Sequence, residues 1–168
     1  ARLMSVVADI GASYRNPHRV VARLLAMGQR EDRALVFLMG ACAIVFVGQW
    51  PRLAREAHIN GQDLNPLLGG ALLGWIFIMP LVLYALAAIT QGVLRLIGRQ
   101  ITGYGARLAL FWAVLATTPL LLLYGLIAGF IGAGAGLTLI GAVWLSVFLW
   151  FWGAGLLAAI RADQESKA

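Results

Sequence analysis

Three long stretches of the chain carry no charged residue, and they set its architecture. Eighteen uncharged residues lie between Arg33 and Arg52, 31 between Asp63 and Arg95, and 53 between Arg107 and Arg161. A helix rises ~1.5 Å per residue, so crossing a hydrocarbon core of ~30 Å takes about 20 apolar residues. The windows therefore predict one span, one span, and two spans joined by a turn. The third window divides at the glycine cluster Gly129–Gly136. The predicted spans are 34–50, 67–91, 106–128 and 137–160, preceded by a segment 1–33 and followed by a tail 161–168. The first window is near the lower length limit, and a buried or re-entrant helix is the alternative there.

Ahead of these windows, Asn16–Gly28 reads as a short helix with good end signals. Asn16 can cap it, Pro17 fits a first turn where its missing N–H costs nothing, and Gly28 can close it. Val20, Val21, Leu24 and Leu25 fall on one face, with Arg19, Arg23 and Arg30 on the other. Such an amphipathic helix can rest in the headgroup layer with its arginines near phosphates, or pack beneath the bundle as a plinth.

Composition agrees with the pattern. The chain is 61% hydrophobic and 12% charged, whereas a soluble domain averages roughly half and about a quarter. Only a lipid solvent suits it. The expected fold is all-α: an integral membrane bundle of about four transmembrane helices with an N-terminal amphipathic surface helix.

The net charge of +6 points to topology rather than to nucleic acid. With four spans, both termini and the middle loop share one side. That side carries Arg2, Arg15, Arg19, Arg23, Arg30, Arg33, Arg95, Arg99, Arg107, Arg161 and Lys167, against Arg52 and Arg55 opposite. The positive-inside rule then places both termini in the cytoplasm. Losing the first span would spoil this count, which favours that span. Val6–Ile10 is too short for a signal peptide, so the first span is expected to act as the insertion signal. Met4 reads as a candidate start, with Ala1–Leu3 an extension ahead of it.

Several residues within the spans shape packing. Pro80 and Pro119 each remove a backbone hydrogen bond and are expected to kink their helices, with Thr117 and Thr118 covering released carbonyls. Trp75 before Pro80 and Trp112 before Pro119 hint at an inverted repeat, but the spacings, five against seven, argue against one. Gly70 and Gly74, Gly125 and Gly129, and Gly132 and Gly136 are four apart, the interval at which helices approach closely in lipid. Cys42 stands alone, which excludes an internal disulfide framework. Pro51 is expected to open a short helix ended by Asn60-Gly61. The nearby Glu56, His58 and Asp63 lack metal-ligand spacing and read as a solvated loop. Gly103 and Gly105 have no phosphate-loop lysine beside them.

No ionisable residue lies within a predicted span, so no proton relay, paired carboxylates, nucleophile–base set or ligand cluster can be assembled there. No catalytic residue, metal or cofactor is expected.

The carboxyl-terminal half carries a resemblance. Gly103-Tyr104-Gly105-Ala106-Arg107 leads into Leu108–Ala116, then Thr117-Thr118-Pro119, Gly125 and Gly141-Ala142-Val143-Trp144. This order resembles bacterial members of the Yip1 family, and the Asn16-Pro17 helix before a charged hinge suits it too. About four spans stand here where that family commonly has five. The resemblance implies a non-enzymatic, multi-pass protein of a bacterial inner membrane, working through partners or the bilayer. The expected function is association, as a scaffold, accessory subunit or membrane-organising factor in a homo-oligomer or larger complex, in contact with membrane lipids. Arg19, Arg23 and Arg30 would meet the surface, and Gly70, Gly74, Gly125 and Gly129 would pack. The alternatives are a channel or carrier for a neutral solute gated by Pro80 and Pro119, and a lipid-binding or lipid-scrambling protein, which requires a groove.

Overall fold

A computed structural model describes residues 2–168, with side chains from Ser5 onward; Ala1 and the side chains of residues 2–4, including the candidate start at Met4, lie outside the described residues. Among the described residues the chain is helical, with no strand. The helices are α1 (Arg2–Ser13), α2 (Pro17–Ala26), α3 (Glu31–Gly48), α4 (Trp50–Asn60), α5 (Leu64–Leu72), α6 (Met79–Leu96), α7 (Gly103–Ala116), α8 (Thr118–Phe130) and α9 (Ala135–Lys167).

Three helical runs are long and apolar enough to cross a bilayer: Glu31–Asn60, Leu64–Leu96 and Ala135–Lys167. A fourth candidate is the pair α7 and α8, bent by 43° at Thr117. The runs overshoot the predicted spans because charge ends an apolar window without ending a helix. Instead of a separate tail, α9 continues through Arg161 to Lys167, where good helix formers and an Asp163–Lys167 pair at 2.8 Å extend it. Similarly, α3 runs on into α4, which stops where Gly61 takes φ +62°.

The two prolines act differently. Pro80 leaves its run continuous: the preceding turn, Leu73–Ile78, widens to π-helix, and Met79 N–H donates to Gly74 O, five residues back. A π turn absorbs the clash between the proline ring and the carbonyl four residues earlier. Pro119 bends its run. Without its N–H the Leu115 carbonyl loses its helical donor, and the Thr118 hydroxyl donates to that carbonyl at 2.6 Å. Leu120 N–H turns to Thr117 O, which frees Ala116 O, and the Tyr14 hydroxyl donates there at 2.7 Å.

The core centres on α7, buried along most of Tyr104–Ala116. Trp112 meets Phe37 edge-on at 5.1 Å and Phe111 meets Tyr84 at 4.9 Å. The close approach of α8 to the α3–α4 junction is made by glycine. A Cβ on Gly125 would collide with the Gly48 carbonyl, and one on Gly129 with the Pro51 backbone. By contrast, Gly70 and Gly74 meet nothing of this chain within 4 Å.

Gly125→Ala should therefore cost about 1–3 kcal/mol through overpacking, whereas Gly70→Ala should leave the monomer as stable as wild type. Thermal unfolding in detergent micelles compares the two; equal midpoints would refute the Gly125–Gly48 seam.

Candidate functional site

The bend at Pro119 opens the most distinctive space in the molecule. While α6 packs on α7 and α3, α8 turns away to pack on α3, α4 and α9. Between them lies a cavity of about 840 Å³. Its walls are apolar: Val45 on α3, Trp75 on the π turn, Met79 and Leu83 on α6, Leu121 on α8 and Phe148 on α9. The π turn before Pro80 supplies Trp75, so both prolines help to build the cavity.

One end of the cavity is polar. Gln49, Arg52 and Tyr124 line it there. Arg52 donates to Gln49 Oε1 at 3.0 Å and to Glu56 at 3.2 Å, which fixes the rim. Cys42, ten residues before Arg52, lines the deeper part, so the cavity runs ~15 Å along the continuous α3–α4 run. Trp144 belongs to the wall, stacks on Phe148 at 5.4 Å, and has a buried Nε1–H without an acceptor among the described residues. A buried indole N–H normally finds a partner. Val82 of α6 and Leu145 of α9 line the cavity yet are half exposed, so its side opening lies between these helices.

The amino-terminal segment forms a second feature. Asn16 caps α2, its side chain accepting from Arg19 N–H at 3.1 Å, and Gly28 takes φ +93° beyond the helix end. The apolar face of α2 is occupied by protein: Val20, Val21 and Leu24 are buried against α7 and α9. The sequence pattern showed that face without showing what covers it. α1 and α2 make a hairpin whose turn enters the bundle. Trp112 Nε1 donates to Ser13 Oγ at 3.0 Å, a fully buried bond, and Tyr14 packs edge-on to Phe151 at 4.9 Å. Trp112 and Ala116 are five and nine residues past Arg107, so the turn reaches ~7–14 Å beyond the arginine-rich end of the bundle.

Of the arginines singled out by sequence, Arg19 and Arg23 share the α1–α2 groove, and Arg15 joins them. Arg23 pairs with Asp9. Arg30 sits apart, ahead of α3, and pairs with Asp32 at 3.2 Å. Arg15 was legible only as part of the charge count, because its place in the groove depends on α1 folding back beside α2, a long-range pairing. Three other arginines brace helix ends. Arg33 donates to Leu24 O at 2.8 Å and Tyr104 OH at 3.1 Å, Arg107 pairs with Glu31, and Arg55 donates to Gly129 O at 3.3 Å. Among the described residues no three His, Cys, Asp or Glu side chains are grouped as a metal ion would need.

No family model, curated protein or solved structure matches this chain.

Ser13→Ala should leave Trp112 Nε1 buried without its acceptor, a cost of about 1–3 kcal/mol. It should also loosen the hairpin, so that trypsin cuts faster after Arg15 and Arg19 in the detergent-solubilised protein. Unchanged cleavage would mean the Ser13–Trp112 bond does not hold the hairpin.

Proposed function

We propose that the protein is a non-enzymatic membrane protein that holds one lipid-like molecule in the cavity between α3, α6, α8 and α9. The observation that carries this reading is the combination of apolar walls, a polar rim at one end and a side opening. A pocket of roughly 300–1,000 Å³ with few convergent polar groups is the usual form of a small-molecule site. An opening between α6 and α9 would face bilayer, so the ligand arrives from the lipid phase. Its apolar chain lies against Trp75 and Phe148, and its polar head meets Gln49, Arg52 and Tyr124. A hydrogen-bond acceptor along the chain, such as an ester carbonyl, would satisfy Trp144 Nε1.

In this reading the bent pair α7–α8 is a fourth crossing. Its 14 and 13 residues amount to ~21 and ~20 Å, and a 43° bend still leaves a rise of ~35 Å, more than the ~30 Å core. The arginine-rich end then lies in the cytoplasm of a bacterial cell, with both termini, and the cavity sits in the outer half. The likeness to the Yip1 family is compatible with this non-enzymatic role. The permeation alternative gains little, since the cavity is apolar and α7 fills the bundle below it.

Native mass spectrometry after extraction in mild detergent tests the proposal. Wild type should retain one lipid-like adduct per chain. Val82→Trp, which narrows the opening, should lose it at an unchanged melting temperature. Loss of adduct from wild type as easily as from Val82→Trp would sink the reading.

Association is the second reading, favoured by one observation. Gly70 and Gly74 face open space beside Leu72, Leu73 and Phe77, which are exposed, an arrangement that suits a second copy in lipid. Photobleaching steps in nanodiscs should then show dimers that Gly70→Leu/Gly74→Leu reduces to monomers. Single steps in wild type would remove self-association through this face.

A further inference from the structure

A groove of about 830 Å³ separates α1 from α2, remote from the cavity. On one wall stand Arg15, Arg19 and Arg23; on the other Gly11 and Ala12 leave room beside them. A Cβ on Gly11 would meet nothing within 4 Å. Asp9 answers Arg23, while the guanidiniums of Arg15 and Arg19 have no partner among the described residues. Two uncompensated positive charges therefore share one concave surface. The hairpin that carries them is held by the Ser13–Trp112 bond, the Tyr14–Ala116 bond and the buried Val20 and Val21.

Depth makes the arrangement informative. The turn lies alongside Trp112 and Ala116, ~7–14 Å past Arg107, next to the uncharged part of the bundle. A guanidinium at such depth is costly unless it snorkels to the interface or meets an anion. Guanidinium and phosphate form bidentate, charge-assisted hydrogen bonds, and Arg suits that geometry better than Lys.

From this we infer that the α1–α2 groove is a binding site for the phosphate of an anionic membrane lipid, held by Arg15 and Arg19 and flanked by the Arg23–Asp9 pair. The lipid's chains run up the outside of the bundle beside the hairpin, and its head fills the space left by Gly11 and Ala12. The inference is independent of the cavity, which lies toward the other end of the bundle.

The test uses the full chain in maltoside micelles, titrated calorimetrically with dihexanoyl phosphatidylglycerol, dihexanoyl phosphatidylcholine and inorganic phosphate in parallel. The titrations are run in the Val82→Trp background, so that the cavity does not contribute. Phosphatidylglycerol should bind most tightly. Arg15→Gln/Arg19→Gln should weaken it by about tenfold or more for each charged hydrogen bond lost, with the lipid-free melting temperature unchanged. Gly11→Leu keeps every charge but fills the groove, and should weaken binding as well, which guards against a double variant that fails to fold. Equal binding of the two lipids, or full affinity in both variants, would overturn the site. Inorganic phosphate binding as tightly as phosphatidylglycerol would overturn the lipid as its source.

Discussion

Two backbone carbonyls inside an apolar bundle control much of this structure. Pro119 cannot donate to Leu115 O, and the local 3₁₀-type turn at Thr117 frees Ala116 O as well. In a dry interior each unpaired carbonyl costs a few kcal/mol, so the bend exists only with substitute donors. Thr118 supplies one from within the helix. Tyr14 supplies the other from more than 100 residues away in sequence, and thereby ties the hairpin to the bend. Everything distinctive follows from that pair. The bend turns α8 away from α6 and leaves the cavity, and the need for a donor brings the amino-terminal segment inside.

How tightly the rest closes around the bend depends on where glycine falls. Lipid removes most of the hydrophobic drive for helices to associate, so backbone approach and van der Waals contact decide which faces join. Gly125 and Gly129 let α8 lie directly on the Gly48 carbonyl and Pro51. The Arg55 guanidinium then covers the last carbonyls of α8, where cations are favoured. The cavity is thus bounded by a seam that cannot slide, with a π turn at Trp75 as its opposite wall. Its shape is built into the backbone rather than left to side-chain rotamers.

The sequence revealed what depends on one chain segment at a time. Charge-free windows located the apolar runs, Asn16, Pro17 and Gly28 marked the ends of α2, and Thr117–Thr118 beside Pro119 foretold the local repair of a broken ladder. What escaped depends on long-range pairing. The α2 stripe of Val20, Val21 and Leu24 reads the same whether lipid or α9 covers it. Nothing around Pro80 distinguishes a kink from a π turn, since both relieve the same clash. Gly70 and Gly125 sit in identical small-residue spacings, yet only one meets a neighbouring backbone. A cavity is the absence of contact between α6 and α8, and no residue pattern encodes an absence.

The same reasoning explains why the molecule keeps its polar chemistry at its margins. Inside the bundle every hydroxyl with a partner is spent on structure: Ser13 accepts from Trp112, Thr117 donates to Ala113 O at 2.8 Å, and Thr118 and Tyr14 serve the bend. The cavity draws its polar character instead from the rim at Gln49, Arg52 and Tyr124, from the Cys42 thiol and from one indole N–H. Such a space can discriminate by shape and by the position of a few polar atoms. The arginines are distributed in the same way. Those that brace helix ends, Arg33, Arg55 and Arg107, are engaged with carbonyls, a hydroxyl or a carboxylate. Arg15 and Arg19, on the one element folded in from the terminus, are not. Charge without an internal partner in a lipid-solvated fold is a demand on the surroundings, and this one groove holds two such arginines.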